Sequence, residues 1–155
     1  MFRGRSLINL DDKGRIAIPT RYRQDLQDCC ERQMIVTVAV NERCVGENGC
    51  LWLYPLPEWE RLEQTISKLP TLNPMAGNLR RFLIGNASEC EMDTQGRLLL
   101  PEMLRKYAGF DKKIVLLGLL KKFEIWNEDA WNAKENGWMV GDSTEGLEEL
   151  GPISF

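Results

Sequence analysis

The chain has 155 residues, of which 43% are apolar and 28% are charged. This balance is typical of a globular protein and excludes a disordered or fibrous chain. The beginning of the sequence has no signal-peptide pattern, and the longest apolar run, residues 114–120, is too short to cross a bilayer. We therefore expect a cytoplasmic protein that does not bind a membrane.

The sequence contains no histidine and five cysteines. The missing histidine removes the usual general base and the Ser–His and Cys–His nucleophile pairs. This argues against an enzyme, a catalytic residue and a small-molecule substrate. No two cysteines have the C-x2-C spacing of a zinc site, so we expect neither a metal nor a cofactor. An odd number of cysteines without a secretory signal indicates reduced thiols.

Charge is distributed unevenly along the chain, although the net charge is only −3. Residues 1–23 contain six basic and two acidic side chains, a balance of +4. Residues 128–155 contain one basic and seven acidic side chains, a balance of −6. This asymmetry predicts an anion-binding surface at the front of the chain and an acidic tail. Ordinary surface charge explains the same counts when they are taken alone.

The first predicted module, residues 5–58, begins with a D-x-x-G-R turn at residues 11–15 and a short apolar strand. The strand ends at Pro19, because proline cannot donate a ladder hydrogen bond. Proline also suits the first turn of a helix. We therefore expect a short helix from this point, with Tyr22 and Leu26 facing inward.

A β-hairpin completes this module. Residues 34–40 form an apolar run that predicts a buried strand, and the partner strand ends at Tyr54. Residues 41–50 lie between them and contain two glycines. We expect this segment to be a long hairpin loop that is exposed and dispensable.

Residues 59–84 are predicted to form a helical linker. Four apolar residues share one helical face: Trp59, Leu62, Ile66 and Leu69. Pro70 and Pro74 then break the chain. We expect a second short amphipathic helix over residues 79–83, which include two arginines.

A second module, residues 87–130, repeats the first. The segments 11–23 and 93–105 are identical at five of thirteen positions, at an offset of 82. Apolar strands and tryptophans match in the same order further along the chain. Four matching blocks in one order indicate an internal repeat.

The predicted elements of the second module follow those of the first. Pro101 is expected to open a helix with Leu104 and Tyr107 facing inward, and a buried strand with a partner ending at Trp126 comes next. A module of about 45 residues is too small for a large core. We therefore predict that each copy supplies half of a shared barrel.

The final segment, residues 131–155, is predicted to contain a third helix that ends near Trp138. The last fifteen residues are polar and contain glycines, so we expect them to be loose. Most of the tryptophans at strand ends and helix starts are interpreted as packing residues.

The repeated turn places an aspartate four residues before an arginine, with a glycine directly before the arginine. The residues are Asp11, Gly14 and Arg15 in the first copy, and Asp93, Gly96 and Arg97 in the second. One interpretation is structural, because the carboxylate can accept from turn amides or pair with the guanidinium. The other is functional, because the planar fork of an outward-facing arginine can bind guanine O6 and N7 or a phosphate. In a combined hypothesis, the aspartate orients the arginine and the arginine contacts DNA.

The surroundings of the two turns differ. Lys13 flanks the first turn, and the matching residue in the second is Gln95. A surface that binds phosphates needs several cations. The candidate DNA-binding side chains are Arg15, Lys13, Arg3, Arg5 and Arg97. We hypothesise that Arg15 dominates the DNA affinity and that Arg97 has a lesser or structural part.

Two further arginines, Arg23 and Arg105, also occupy matching positions in the repeat. They fall on the predicted short helices. We interpret them as members of structural salt bridges.

The chain resembles the MraZ family, the tandem members of the SpoVT/AbrB-like superfamily. The similar stretches are residues 1–4, 11–23, 54–60 (Tyr-Pro-Leu-Pro-Glu-Trp-Glu), 86–90 and 93–101. The resemblance implies a mainly β fold with short helices, of the α+β class. In that fold two swapped-hairpin halves form a double-psi-like barrel. Residues 41–50 depart from the family pattern because they form a longer segment than usual.

The resemblance also implies a function. A member of this family is expected to be a nucleoid-associated transcriptional regulator that binds double-stranded DNA, typically as a repressor of the division and cell-wall gene cluster. It is expected to bind short G-rich direct repeats as a ring-shaped homo-oligomer. The D-x-x-x-R residues of the family fall on Asp11, Arg15, Asp93 and Arg97.

Two other classes remain open. An antitoxin-like or scaffold module would bind protein through the acidic tail. An enzyme on a related barrel is disfavoured by the absence of histidine, a metal motif and a phosphate-binding glycine loop.

Overall fold

The computed structural model describes residues 1–141 and 146–155. These residues contain eight strands: β1 (Phe2–Asn9), β2 (Arg15–Ala17), β3 (Gln33–Val40), β4 (Gly46–Pro55), β5 (Ser88–Glu91), β6 (Arg97–Leu99), β7 (Lys113–Leu120) and β8 (Lys122–Asn127). The same part of the chain contains five α-helices: α1 (Thr20–Cys30), α2 (Leu56–Ser67), α3 (Pro74–Leu79), α4 (Glu102–Tyr107) and α5 (Glu128–Val140). The predicted α+β class is confirmed.

The helices α1 and α4 begin directly after the prolines, as the sequence predicts, whereas α5 begins at Glu128, before the predicted segment 131–155. Pro19 and Pro101 are the N-caps of α1 and α4, with φ of −52° and −57°. Proline suits this position because its fixed φ is already close to helical and its missing N–H would have no partner there. Asn127 caps α5, and its side chain accepts from the N–H of Ala130.

The strands form two antiparallel sheets. The larger has the order β1-β7-β8-β4-β3-β5, and the smaller pairs β2 with β6. The first strand of each module therefore pairs with the hairpin of the other, since β1 lies against β7 and β5 lies against β3. This exchange agrees with the predicted sharing of one structure by two copies, while closure into a double-psi-like barrel stays a prediction.

The core lies where the exchanged strands and short helices meet. Ile16 and Leu98, which face each other across β2 and β6, are fully buried. Tyr22 and Leu26 of α1 and Leu104 of α4 also face inward, as predicted. The prediction for Tyr107 is wrong, because its side chain is 38% exposed. Ala108, at the C-cap of α4 and 2% exposed, takes the inward position instead.

The prediction of an exposed loop over residues 41–50 is wrong in its second half. The turn is confined to residues 41–45, and β4 begins at Gly46. Cys50 is fully buried, and Gly49 lies against Ala130 of α5. The two glycines therefore allow close packing rather than a flexible loop.

The linker confirms its predicted helical face, because Trp59 and Ile66 are buried. The second predicted helix is α3 followed by a π-helical turn at Arg80–Ile84. The guanidinium of Arg80 donates to the carbonyl of Ile66, in the last turn of α2, at 3.3 Å and to that of Leu69, just beyond the helix, at 2.6 Å. The hydroxyl of Thr37, which is fully buried, donates to the carbonyl of Leu83 at 2.6 Å. The bond from Thr37, which belongs to β3, fixes the linker to the sheet.

The tail prediction is only partly covered, because residues 142–145 lie outside the described residues. Leu147–Leu150 form a 3-10 turn whose side chains are exposed. The five cysteines, all within the described ranges, are free thiols. Among the helices of the described residues, none combines the length and apolar character needed to cross a membrane.

Candidate nucleic-acid interface

The first turn is organised by one carboxylate. Oδ1 of Asp11 accepts from the backbone N–H of Lys13 at 2.9 Å and of Arg15 at 2.8 Å. Oδ2 accepts from Nε of Arg15 at 2.7 Å. Gly14 has a φ of +85°, a conformation that other residues adopt only with strain. The turn therefore fixes both the backbone and the direction of the arginine side chain.

The second turn has the same geometry. Oδ1 of Asp93 accepts from the N–H of Gln95 and of Arg97, both at 2.9 Å. Oδ2 accepts from Nε of Arg97 at 2.9 Å, and Gly96 has a φ of +78°. The repeat seen in the sequence is thus a repeat of hydrogen bonds.

Both carboxyl groups have a pKa below the ordinary value. The main cause for Asp11 is the hydrogen bond from the backbone N–H of Arg15, and partial desolvation opposes it. The same causes lower the pKa of Asp93, with Arg97 as the donor. Both groups are therefore carboxylates at neutral pH. Each carboxylate accepts from the Nε of its arginine and leaves the two terminal amino groups of that guanidinium available to another acceptor.

The pairing of β2 with β6 brings the two turns together. Arg15 faces Leu99 and Ala17 faces Arg97 in the antiparallel register. Arg15 and Arg97 are therefore diagonal neighbours on one face, with Cα atoms about 7–8 Å apart. The opposite face carries Ile16 and is buried. The side chains of the two arginines are 27% and 36% exposed, so neither is sealed in the core.

The structure does not bring Arg3 and Arg5 to this face. Both lie on β1, and a strand rises about 3.4 Å per residue, so Arg3 is about 20 Å along the strand from Asn9 at its end. Nη1 of Arg5 instead lies 2.6 Å from Oε2 of Glu135 on α5. This ion pair joins residues 130 positions apart, and no local pattern in the sequence indicates it.

Among the described residues, Arg23 and Arg105 form no salt bridge, contrary to the prediction, and bind backbone carbonyls instead. Nε of Arg23 donates to the carbonyl of Ile18 at 2.8 Å. Nε of Arg105 donates to the carbonyl of Leu100 at 3.0 Å. Both acceptors are backbone oxygens at the strand ends that precede the helix-opening prolines.

Most tryptophans pack, as predicted, but two of them share a polar partner that the sequence did not indicate. Glu124 accepts from Nε1 of Trp52 at 3.0 Å and from Nε1 of Trp126 at 2.9 Å. Nζ of Lys122 lies 3.4 Å from the centre of the Trp52 ring. Burial is the largest cause that lowers the pKa of Lys122, and the nearby Glu124 opposes it. This cluster lies on the hairpins and not beside the paired turns.

Comparison with known proteins identifies the family. Residues 1–82 and 83–138 match the family model described as "MraZ protein, putative antitoxin-like". This chain belongs to the MraZ family. The two segments that match the MraZ model each contain one of the two turns, so the family model follows the same internal duplication.

Relatives in the MraZ family match almost the whole chain. The protein named transcriptional regulator MraZ from Methylococcus capsulatus is 52% identical over 152 residues, covering 98% of this chain and 95% of the relative. That from Thioalkalivibrio sulfidiphilus is 48% identical over 138 residues, covering 89% and 87%. That from Escherichia coli is 44% identical over 156 residues, covering 97% and 99%.

Proposed function

We propose that this chain is a transcriptional regulator that binds double-stranded DNA through the outer face of β2 and β6. The observation that carries the proposal is the pair of arginines on that face, each held by an aspartate through Nε. The free edge of such a guanidinium is a two-donor fork, and this matches the O6 and N7 acceptors of guanine in the major groove.

The spacing of the arginines supports base contacts. Successive base pairs are about 3.4 Å apart along a strand. A separation of about 7–8 Å between the Cα atoms of Arg15 and Arg97 therefore corresponds to about two base-pair steps. We propose that the turns contact neighbouring guanines in a short G-rich site, with Lys13 on a phosphate.

The other candidate residues have supporting roles. Asp11 and Gly14 orient Arg15, and Asp93 and Gly96 orient Arg97, through the hydrogen bonds and backbone conformations of the turns. Arg3 and Arg5 extend the phosphate contacts along β1, where the ion pair with Glu135 weakens the contribution of Arg5.

We retain the ranking of the two turns as part of the proposal. Their internal geometry is alike, so the difference rests on charge: the first turn includes Lys13, whereas the second has Gln95 and follows Glu89 and Glu91 on β5. Arg15→Ala is expected to weaken DNA binding more than Arg97→Ala. Equal losses, or a larger loss from Arg97→Ala, contradict the ranking.

The biological target follows from the family resemblance. We propose repression of the promoter of the division and cell-wall gene cluster, in the nucleoid of the cytoplasm, with residues 5–58 and 87–130 as the two DNA-binding modules. Residues 59–84 and 131–155 serve as the linker and the C-terminal segment. The unit that acts is a ring-shaped homo-oligomer on direct repeats.

One pair of arginines makes few contacts with DNA, so a single subunit is expected to bind weakly. A ring overcomes this weakness. Several identical faces on spaced repeats raise the effective affinity by roughly 10²–10⁴ without new contacts. We expect the protein to bind a repeat array more tightly than a single repeat by a factor in this range. Equal affinity for both DNAs would argue against the assembly.

A gel-shift titration on the DNA upstream of the chain's own gene tests the proposal. It uses two salt concentrations, with a scrambled-repeat DNA of equal length as control. We expect a steep loss of affinity with salt and preference for the native sequence. Equal binding to both DNAs would leave only nonspecific attraction and contradict sequence-specific regulation.

A further inference from the structure

The space above the glycine of each turn is filled by an arginine of the other module. A Cβ added to Gly14 would lie 2.6 Å from Nε and 2.8 Å from Nη1 of Arg105. A Cβ added to Gly96 would contact the guanidinium of Arg23 and lie 2.7 Å from its Cδ. Both glycines are buried, although they lie in turns beside exposed residues. The first turn is thus covered by the second module, and the second turn by the first module.

Each arginine is itself fixed by a strand end. Nε of Arg105 donates to the carbonyl of Leu100, and Nε of Arg23 donates to the carbonyl of Ile18. Because Nε is used in this way, the plane of each guanidinium is set by its own module. The face of that plane then lies against the glycine of the other module.

Backbone hydrogen bonds cross between the modules at the same place. The N–H of Leu100 donates to the carbonyl of Gly14 at 3.0 Å, and the N–H of Ile18 donates to the carbonyl of Gly96 at 2.8 Å. Leu100 therefore accepts from Arg105 through its carbonyl and donates through its N–H to Gly14, the glycine that Arg105 covers. Ile18 makes the corresponding contacts with Arg23 and Gly96. The result is a closed set of contacts that occurs twice, with the two modules exchanged.

We propose that Arg105 is a positioning residue for the first turn, and that Arg23 is the corresponding residue for the second. The guanidinium of Arg105 packs against Gly14 and keeps it in its left-handed conformation. This fixes the direction of Arg15, the next residue in the chain. The functional part of this inference rests on the proposed DNA binding, whereas the structural part does not.

A direct phosphate contact is the competing role for a basic residue near the interface. The two roles differ in what the chemistry requires. A phosphate contact needs a positive charge, which lysine also supplies. Positioning needs the planar guanidinium, because a tetrahedral ammonium cannot both donate to the strand end and lie flat against a glycine. Arg105→Lys and Arg105→Met therefore separate the roles.

Hydrogen exchange of the full-length protein without DNA is the first measurement. Arg105→Met and the matched variant Arg23→Met are compared by mass spectrometry of the peptides that cover residues 11–15 and 93–97. We expect Arg105→Met to speed exchange about fivefold in residues 11–15 and to leave residues 93–97 unchanged. Arg23→Met is expected to show the opposite pattern.

The crossed pattern is decisive. Faster exchange in the variant's own module, in both turns equally or in neither turn would overturn the proposal. Arg105→Lys and Arg23→Lys retain the long stem and the charge, so they answer the same question if the methionine variants do not fold. The lysine variants are expected to show the same crossed pattern.

DNA affinity at several salt concentrations is the second measurement. We expect Arg105→Lys to bind the native repeats about as weakly as Arg105→Met, with the salt slope of the unchanged protein. The competing outcome is that Arg105→Lys binds as tightly as the unchanged protein, and that Arg105→Met lowers the salt slope by about the amount expected for one phosphate contact. In that case Arg105 binds a phosphate and the proposal is wrong. If the unchanged protein does not prefer its native repeats, the DNA-binding function fails, while the exchange measurement still decides the positioning role.

Discussion

At the scale of single residues, one aspartate organises each turn with three hydrogen bonds. The carboxylate of Asp11 accepts from two backbone N–H groups and from Nε of Arg15. Hydrogen bonds to a charged acceptor are stronger than those between neutral groups. The arginine is therefore already held in the free protein, so that less conformational entropy would be lost in the proposed binding of DNA.

This arrangement predicts how Asp11 titrates. Its lowered pKa means that the carboxylate stabilises the fold at pH values above the ordinary value of 3.8, and that this contribution is lost as the pH falls through the lowered pKa. Arg15→Ala removes the side-chain donor and retains the backbone N–H, whose hydrogen bond is the largest cause of the lowered pKa of Asp11. We expect the pKa of Asp11 to rise only part of the way to 3.8 in this variant, as measured by carbon NMR. Asp93 serves as the control, since its partner is Arg97.

A full return of the Asp11 pKa to 3.8 in Arg15→Ala would contradict this account. It would mean that the side chain, and not the backbone of the turn, determines the titration. An equal shift of Asp93 would mean that the variant disturbs both turns.

At the scale of elements, the sequence predicted the features that depend on local chemistry. The D-x-x-G-R turns and the helices after Pro19 and Pro101 follow from the conformations of glycine and proline. The buried strands follow from apolar runs, except that Leu119 and Leu120 are 42% and 56% exposed at the end of β7. Here the strand runs past the core into a turn.

Features that depend on contacts distant in sequence were not predictable in the same way. The ion pair of Arg5 with Glu135 and the contact of Arg105 with Gly14 require the fold to be known. The sequence does not indicate the inward position of Ala108, because a small residue at a helix end contributes little to the apolar pattern of the helix. The sequence predicts a loop over residues 41–50 because glycines in a tightly packed strand resemble glycines in a turn.

The packing of β4 against α5 gives a test at this scale. A Cβ on Gly49 would lie 2.5 Å from Cβ of Ala130, and the φ of +78° already disfavours a side chain. Gly49→Ala is expected to lower the free energy of unfolding by roughly 1–3 kcal/mol in urea titrations.

Gly137, in the interior of α5, provides the matched control. A Cβ there would meet no atom of the described residues within 4 Å. Gly137→Ala is expected to raise the free energy of unfolding by about 0.5–1 kcal/mol, because alanine loses less entropy in a helix. If both substitutions are neutral, the segment around Gly49 is not packed as described.

At the scale of the whole molecule, the two modules form one structure because their first strands are exchanged. Ile16 and Leu98 face each other across the module boundary and are both fully buried. Ile16→Ala and Leu98→Ala are each expected to lower the free energy of unfolding by roughly 2–5 kcal/mol. Calorimetry should show one transition that shifts to lower temperature in either variant. Two separable transitions, each sensitive to one variant, would contradict a shared core.

The proposed contact between Arg15 and guanine can be tested by changing the protein and the DNA together. The affinity of the unchanged protein and of Arg15→Ala is measured on native repeats and on repeats whose guanines are replaced by 7-deazaguanine, which lacks the N7 acceptor. We expect the replacement to weaken the binding free energy of the unchanged protein by about 1–3 kcal/mol and that of Arg15→Ala by clearly less. An equal cost for both proteins would show that Arg15 does not contact the guanine edge.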